Sequence, residues 1–353
     1  MKSIPILFSA LLFLAGPCQA DMQWRTIPAA GQMEAEKAAL APQLKELGQK
    51  LANDFRIKTA DDVTSLRRGL IAAIWKPGNG IPGRLPDKAT PGIIDEDFPG
   101  ADITRLDVKM AKGALSRVFF LRGKGHKCLM ITHEGHDEDR EIRKKLVDLF
   151  LNDCDVLSIA MPGMGENRPP KSCGADHDSF AKLVSEDFSP LQFFFDPTAV
   201  SLNYALKNAP QGGYEKIGMF GLSGGGWTAA VYSALDTRIQ RSYAVAGSYP
   251  RVIMPPGKDV GDYEQSTPEL LSLADYSEIY LLASVPGRRH VQINNVYDPY
   301  CFDGWLGLSY GQFLSDQAKK YGGSYELMLD TTTNHHAVSE AAGQFIRKDF
   351  LGK

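Results

Sequence analysis

Lys216-Ile217-Gly218-Met219-Phe220-Gly221-Leu222-Ser223-Gly224-Gly225-Gly226-Trp227-Thr228-Ala229-Ala230-Val231 is the stretch whose reading decides the fold. Its first part is a short apolar run that stops at Gly221 and reads as a buried strand. Its last part is built of small apolar residues and reads as a helix. Between them a serine stands in a G-x-S-x-G frame. Only side chains as small as glycine at the flanking positions let strand and helix pass so closely, and the turn strains the residue it presents. Ser223 Oγ is thereby lifted above the sheet. The Gly224 amide falls at a helix N-terminus, where backbone donors favour a developing negative oxygen. Five residues of this pattern also occur in plain glycine-rich turns, so the strand before and the helix after carry the reading.

Outward from this point, short apolar runs alternate with helical segments. Ile103–Val108 and Arg117–Leu121 read as a hairpin, and Cys128–Thr132 as a buried strand. A charged helix over 137–152 leads to Val156–Ala160, and a helix over 197–208 leads to the strand before Ser223. Ser242–Ala246, Val291–Val296 and Tyr325–Leu329 complete eight strands. The alternation predicts an α/β fold: a mostly parallel sheet with helices on both faces, its first two strands antiparallel. Two insertions leave the carboxyl ends of strands, where such sheets bind ligands. One spans 162–197 with Phe188, Phe193, Phe194 and Phe195; the other spans 249–276. Both are expected to wall a substrate pocket.

The N-terminal third is organised differently. Met1-Lys2, an apolar run from Ile4 to Gly16, and small residues up to Ala20 describe an export signal over 1–20, too short to span a bilayer. Leu14-Ala15-Gly16-Pro17-Cys18 resembles a lipid-attachment box, but Pro17 stands where a small residue should precede the cysteine, and cleavage near Ala20 is the reading taken. Leu40, Leu44, Leu47 and Leu51 recur at helical spacing, a second run covers 63–75, and a Pro/Gly-bearing stretch continues to Gly100. Residues 21–100 are therefore read as an N-terminal helical extension and 101–353 as the catalytic domain. With Lys2 removed, 38 basic residues face 42 acidic ones, a net charge of −4. That argues against nucleic acid or an anionic membrane as principal partner.

Four cysteines follow the signal, with no C-x-x-C pair to suggest a zinc ribbon or redox motif. Cys128 and Cys154 each open a strand at one edge of the expected sheet, and Cys173 and Cys301 each follow a strand at the other. Only like ends come within bridging distance, so the expected bridges are 128–154 and 173–301. Four free thiols are the alternative.

A serine hydroxyl needs a base, and the base needs an orienting carboxylate. Val291–Val296 runs into Tyr297-Asp298-Pro299, placing Asp298 at a strand's carboxyl end; Asp303 is the rival. Asn334-His335-His336-Ala337-Val338-Ser339 lies between the last strand and a final helix. His336 is the preferred base and His335 the alternative. A second oxyanion donor is expected from Thr132-His133-Glu134-Gly135-His136, at the His136 amide, with Gly135 freeing the turn. His133 and His136 beside Glu134 lack the i, i+4 spacing of a zinc helix, so no metal is expected. His177-Asp178 reads as a solvated loop pair, and His126 and His290 carry no motif.

With these residues the chain resembles the α/β-hydrolase superfamily over about 103–351, through Gly221-x-Ser223-x-Gly225, Asp298 after a late strand, His336 after the last strand, and the His133–His136 loop. The likeness implies the α/β-hydrolase fold, the triad Ser223, Asp298 and His336, an oxyanion hole at Gly224 and His136, and acyl transfer with no cofactor. The chain looks most like secreted bacterial serine esterases and depolymerase-like hydrolases. Glu134, between His133 and Gly135, departs from the superfamily's loop and leaves the second donor open by a residue. A small-molecule or polymeric ester is the expected substrate. A peptidase on the same fold is the nearest rival, export argues against thioester cleavage by the same triad, and a non-catalytic binding module is the more distant rival.

Overall fold

The computed structural model describes residues 26–76, 79–136, 140–254, 261–300 and 302–352. The export signal read over 1–20 lies outside them. Nine strands form one sheet: β1 (Lys88–Thr90), β2 (Asp102–Lys109), β3 (Leu115–Arg122), β4 (Cys128–His133), β5 (Asp155–Ile159), β6 (Lys216–Leu222), β7 (Arg241–Val245), β8 (Arg289–Asn295) and β9 (Ser324–Asp330). They stand in the order β1-β2-β3-β5-β4-β6-β7-β8-β9. β1, β2 and β3 pair antiparallel, β3 meets β5 antiparallel, and every pair from β5 to β9 is parallel. The eight expected strands are all present. The ninth, β1, is a three-residue edge strand too short for any periodicity to reveal it.

Side chains alternate between the two faces of the sheet, as the period of two requires. Leu129 and Ile131 of β4 join one core and Met130 the other. The larger core takes in α1 (Ala30–Asp54), α2 (Ala60–Trp75), α4 (Gln192–Lys207), α5 (Gly224–Leu235), α8 (Tyr276–Ser284) and α9 (Gly311–Lys320). The smaller is closed by α3 (Arg140–Asp148) and α10 (Glu340–Leu351). Two one-turn helices, α6 (Tyr263–Ser266) and α7 (Pro268–Leu271), lie in the loop between β7 and α8.

The N-terminal helices are part of this packing. Thr59 caps α2 reciprocally with Asp62, Thr59 Oγ1 accepting the Asp62 amide and the Asp62 carboxylate accepting the Thr59 amide. Val63, Leu70, Ile74 and Trp75 form its buried stripe. Arg67 donates to the carbonyls of Ala234, Leu282 and Val285, tying α2 to the ends of α5 and α8. Trp75 Nε1 donates to Asp196 Oδ1 at 2.8 Å. Burial, partly offset by that bond and the charge of Arg84, pushes Asp196 from 3.8 up to about 6. Between those values the folded chain holds a proton that the unfolded chain has lost. Stability from Asp196 is therefore full below about pH 4 and declines as pH rises to about 6. Asp196→Asn keeps an acceptor for Trp75 and removes the buried charge. Urea denaturation should find it about 3 kcal/mol more stable than wild type at pH 8, with the gap closing near pH 4.

Cys128 at the start of β4 and Cys154 just before β5 form a disulfide, as their neighbouring strand ends predict. The second expected bridge is corrected: Cys173 is a free thiol, its Sγ 3.6 Å from the Ser179 carbonyl. Its intended partner, Cys301, lies outside the described residues. The aromatic run is also corrected. Helix α4 begins at Gln192, ahead of the expected start at Pro197, and Phe188, Phe193, Phe194 and Phe195 are buried in the larger core. Phe195 stacks on Trp227 of α5 at 5.3 Å, holding that helix from behind.

Candidate active site

The chain passes from β4 through α3 to β5 on one side, then through α4 to β6 on the other side of β4. The strand order thus reverses between β4 and β6, and the loops leaving their carboxyl ends part to leave a crevice. Ser223 sits at that point. It follows β6, caps α5, and adopts φ 58° and ψ −128°, a region that costs a non-glycine residue energy. Its amide donates to the Val245 carbonyl at 2.9 Å and its carbonyl accepts from the Trp227 amide at 2.9 Å, which pin the strained turn from both sides. Ser223 remains partly exposed while the rest of α5 is buried.

The neighbouring glycines explain how close the elements come. A Cβ on Gly226 would stand 2.5 Å from the Val245 carbonyl oxygen, and one on Gly225 2.9 Å from the Gly135 amide nitrogen. Gly135 itself has φ 82°, and a Cβ there would meet the Leu222 carbonyl oxygen at 2.5 Å. The loop after β4 is therefore packed directly on the turn that carries Ser223. The His136 ring covers Gly224, where an added Cβ would lie 2.7 Å from the imidazole Nδ1. Gly224 opens α5, so its amide is one of the donors without an intrahelical acceptor.

Asp298 and His336 meet. The Asp298 side chain is buried in the turn after β8, and its Oδ2 is 2.7 Å from His336 Nδ1. Oδ1 accepts the Tyr300 amide at 2.8 Å. With Nδ1 donating to the carboxylate, the neutral ring carries its lone pair on Nε2. His335, the alternative base, is exposed, and its amide donates to Thr333 Oγ1. Asp303, the alternative acid, accepts the Tyr249 hydroxyl at its carbonyl.

Asn295 is a residue that sequence reasoning missed. It is the last residue of β8 and fully buried. Its Nδ2 donates to the carbonyls of Ala337, at 2.8 Å, and His335, at 3.3 Å, while its own carbonyl accepts the Asp298 amide at 3.2 Å. Asn295 thus ties the loop of His336, through its side chain, to the turn of Asp298, through its backbone carbonyl. Ser339 closes the far end of that loop by capping α10 and donating to Asp330.

His177 corrects the sequence reading. It is not solvated but buried, in contact with Phe180 and Phe194, and it stands beside His136. Asp262 and Glu264, from the loop between β7 and α8, join the same pair. His136 Nε2 is 2.9 Å from Asp262 Oδ2 and 3.1 Å from Glu264 Oε1. Burial alone would discharge His136, but these carboxylates outweigh it and raise the ring to about 10. Glu264 is likewise drawn down to about 2 against its own burial by His177 and His136. His133, by contrast, is buried and depressed to about 3, chiefly by desolvation, and stays neutral.

No family model matches the chain, and no curated protein matches it. Solved structures do. An acetyl xylan esterase from Paenibacillus sp. R4 superposes with a TM-score of 0.58 at 14% identity, covering 88% of this chain and 98% of that one. The methylesterase BT1017 gives 0.56 at 16% identity, covering 88% of this chain and 68% of its own length. Acetyl xylan esterase 1 from Thermoanaerobacterium sp. JW/SL YS485 gives 0.55 at 12% identity, covering 88% and 98%. With the strand order, the turn at Ser223 and these superpositions together, the chain has the α/β-hydrolase fold.

Proposed function

We propose that this chain is an exported serine hydrolase of carboxylic esters. Ser223 Oγ attacks the ester carbonyl carbon while His336 Nε2 takes its proton. Asp298 holds the imidazole in the right tautomer and stabilises the imidazolium. The amides of Gly224 and His136 receive the oxyanion. The intermediate then expels the alcohol, which takes the proton from His336. Water, deprotonated by the same ring, adds to the acyl-enzyme and releases the acid. The observation that carries this reading is the 2.7 Å contact of His336 Nδ1 with buried Asp298, after the two strands next in line beyond the Ser223 turn and its neighbour β7.

The superposed acetyl xylan esterases support esters with a small acyl group, and the methylesterase esters with a small alcohol, as the substrate class. Export rests on the N-terminal signal pattern, and the Cys128–Cys154 bridge fits an oxidising compartment. No helix among the described residues is long and apolar enough to cross a membrane. Turnover of p-nitrophenyl acetate tests the assignment of the base. His336→Ala should lower kcat by about 10⁴-fold, whereas His335→Ala should leave it within a few-fold of wild type. The reverse ranking would move the base to His335, and no activity in the wild type on any short-chain ester would end the esterase reading.

A further inference from the structure

His136 and the three side chains around it, His177, Asp262 and Glu264, bring two imidazoles and two carboxylates together. His177 Nε2 lies 2.8 Å from the Pro162 carbonyl, an oxygen that can only accept. Nε2 therefore donates to it, and Nδ1 is the ring nitrogen turned inward. There it faces His136 Nε2 at 3.0 Å and Glu264 Oε2 at 3.2 Å. Glu264 is completely buried, and neither of its oxygens has a donor in hydrogen-bonding geometry. Asp262 Oδ2 completes the group. A carboxylate at full burial with no well-formed hydrogen bond to either oxygen is costly.

We propose that His136, His177, Asp262 and Glu264 form a binding site for a divalent transition-metal ion, with Zn²⁺ the best fit. One donor atom from each residue lies within 4.8 Å of every other. Tetrahedral zinc with ligands at about 2.1 Å separates its donors by about 3.4 Å, so the widest donor pair must close by about 1 Å, within reach of side-chain rotation, to seat the ion. Two imidazole nitrogens favour zinc over the hard cations magnesium and calcium. Two carboxylates neutralise its charge. The His177 Nε2–H bond to Pro162 is the kind of outer contact that orients a ligating imidazole. Asp262, about one-third exposed, opens a path from solvent.

Four protein donors fill a tetrahedral ion, which leaves it no position for water or substrate. Its work is therefore to clamp. His136 comes from the loop after β4, His177 from the insertion after β5, and Asp262 and Glu264 from the insertion after β7. An ion here fastens both insertions to the loop that packs on the Ser223 turn. The site stands whether or not Ser223 is a nucleophile.

Untagged full-length protein, stripped with chelator and dialysed against Zn²⁺, tests this by elemental analysis, calorimetric titration and thermal melting. One zinc per chain, a raised melting temperature, and the visible absorption of four-coordinate cobalt on Co²⁺ substitution are expected. Glu264→Gln and His177→Gln should lose stoichiometric zinc. Asp262→Asn, partly exposed and the least disruptive to folding, should weaken binding roughly tenfold or more and alter the cobalt spectrum. Ser223→Ala should bind zinc as wild type does, which separates this site from the esterase reading. Wild-type protein that takes up no zinc at micromolar concentration would overturn the proposal. So would Asp262→Asn binding zinc with unchanged affinity and cobalt spectrum.

Discussion

Ser223→Ala is expected to abolish labelling by a fluorophosphonate probe and to lower p-nitrophenyl acetate turnover by about 10⁴-fold or more. The argument begins with the backbone. Ser223 is held at φ 58° by bonds from its amide to Val245 and from Trp227 to its carbonyl. Alanine keeps the Cβ and hence the strain, and it loses neither backbone bond. The melting temperature should therefore stay near that of wild type. A fall in turnover without a fall in stability isolates the hydroxyl as the chemical group. What survives should be the slow reaction with water in a site that still has its backbone donors. Labelling that persists in the alanine variant would remove Ser223 from the mechanism, and so would turnover reduced only in proportion to a loss of folded protein.

The Ser223 turn was legible because its constraint is local. Gly221, Gly225 and Gly226 lie within a few residues of one another and their absent side chains are needed at a single turn, so the pattern survives without any knowledge of distant partners. Asp298 and His336 were legible as positions for a related reason, since each follows a strand and the strand ends share one edge of the sheet. The preference for His336 over His335 rested on a resemblance alone, because the Asp298 contact and the grip of Asn295 on the His335 and Ala337 carbonyls are long-range, and a buried asparagine at a strand end has no sequence signature. The four-residue cluster was hidden more deeply. His177 comes from one insertion and Asp262 and Glu264 from the other, and each reads alone as ordinary loop polarity. The phenylalanines misled for the opposite reason. An aromatic run beside a strand end suits a pocket wall and a helix-to-helix core equally, and only packing on Trp227 distinguishes them.

The second large effect is expected at Gly225. A Cβ there would be driven into the His133 carbonyl oxygen, with the carbonyl carbon at 2.7 Å and the Gly135 amide at 2.9 Å. All three atoms are backbone, so no side-chain rotation relieves the clash, and α5 must move away from β4. Those elements are also held from the other side, since a Cβ on Gly226 would meet Val245 and the Phe195 ring backs Trp227. Movement in one place therefore strains the next. Overpacking of a tight core costs about 1–3 kcal/mol and sometimes more, and here it also separates the Ser223 turn from the loop of Gly135 and His136. Gly225→Ala should melt well below wild type and lose most of its esterase activity even where it remains folded. Gly69→Ala provides the contrast. Gly69 lies inside α2 with nothing within 4 Å of its would-be Cβ, and the gain in helix propensity should stabilise the chain by about 0.5–1 kcal/mol. Differential scanning calorimetry of both variants, with turnover measured on the same samples, decides the matter. If Gly225→Ala melts with wild type and keeps its turnover, the close passage of strand and helix does not hold the catalytic serine in place.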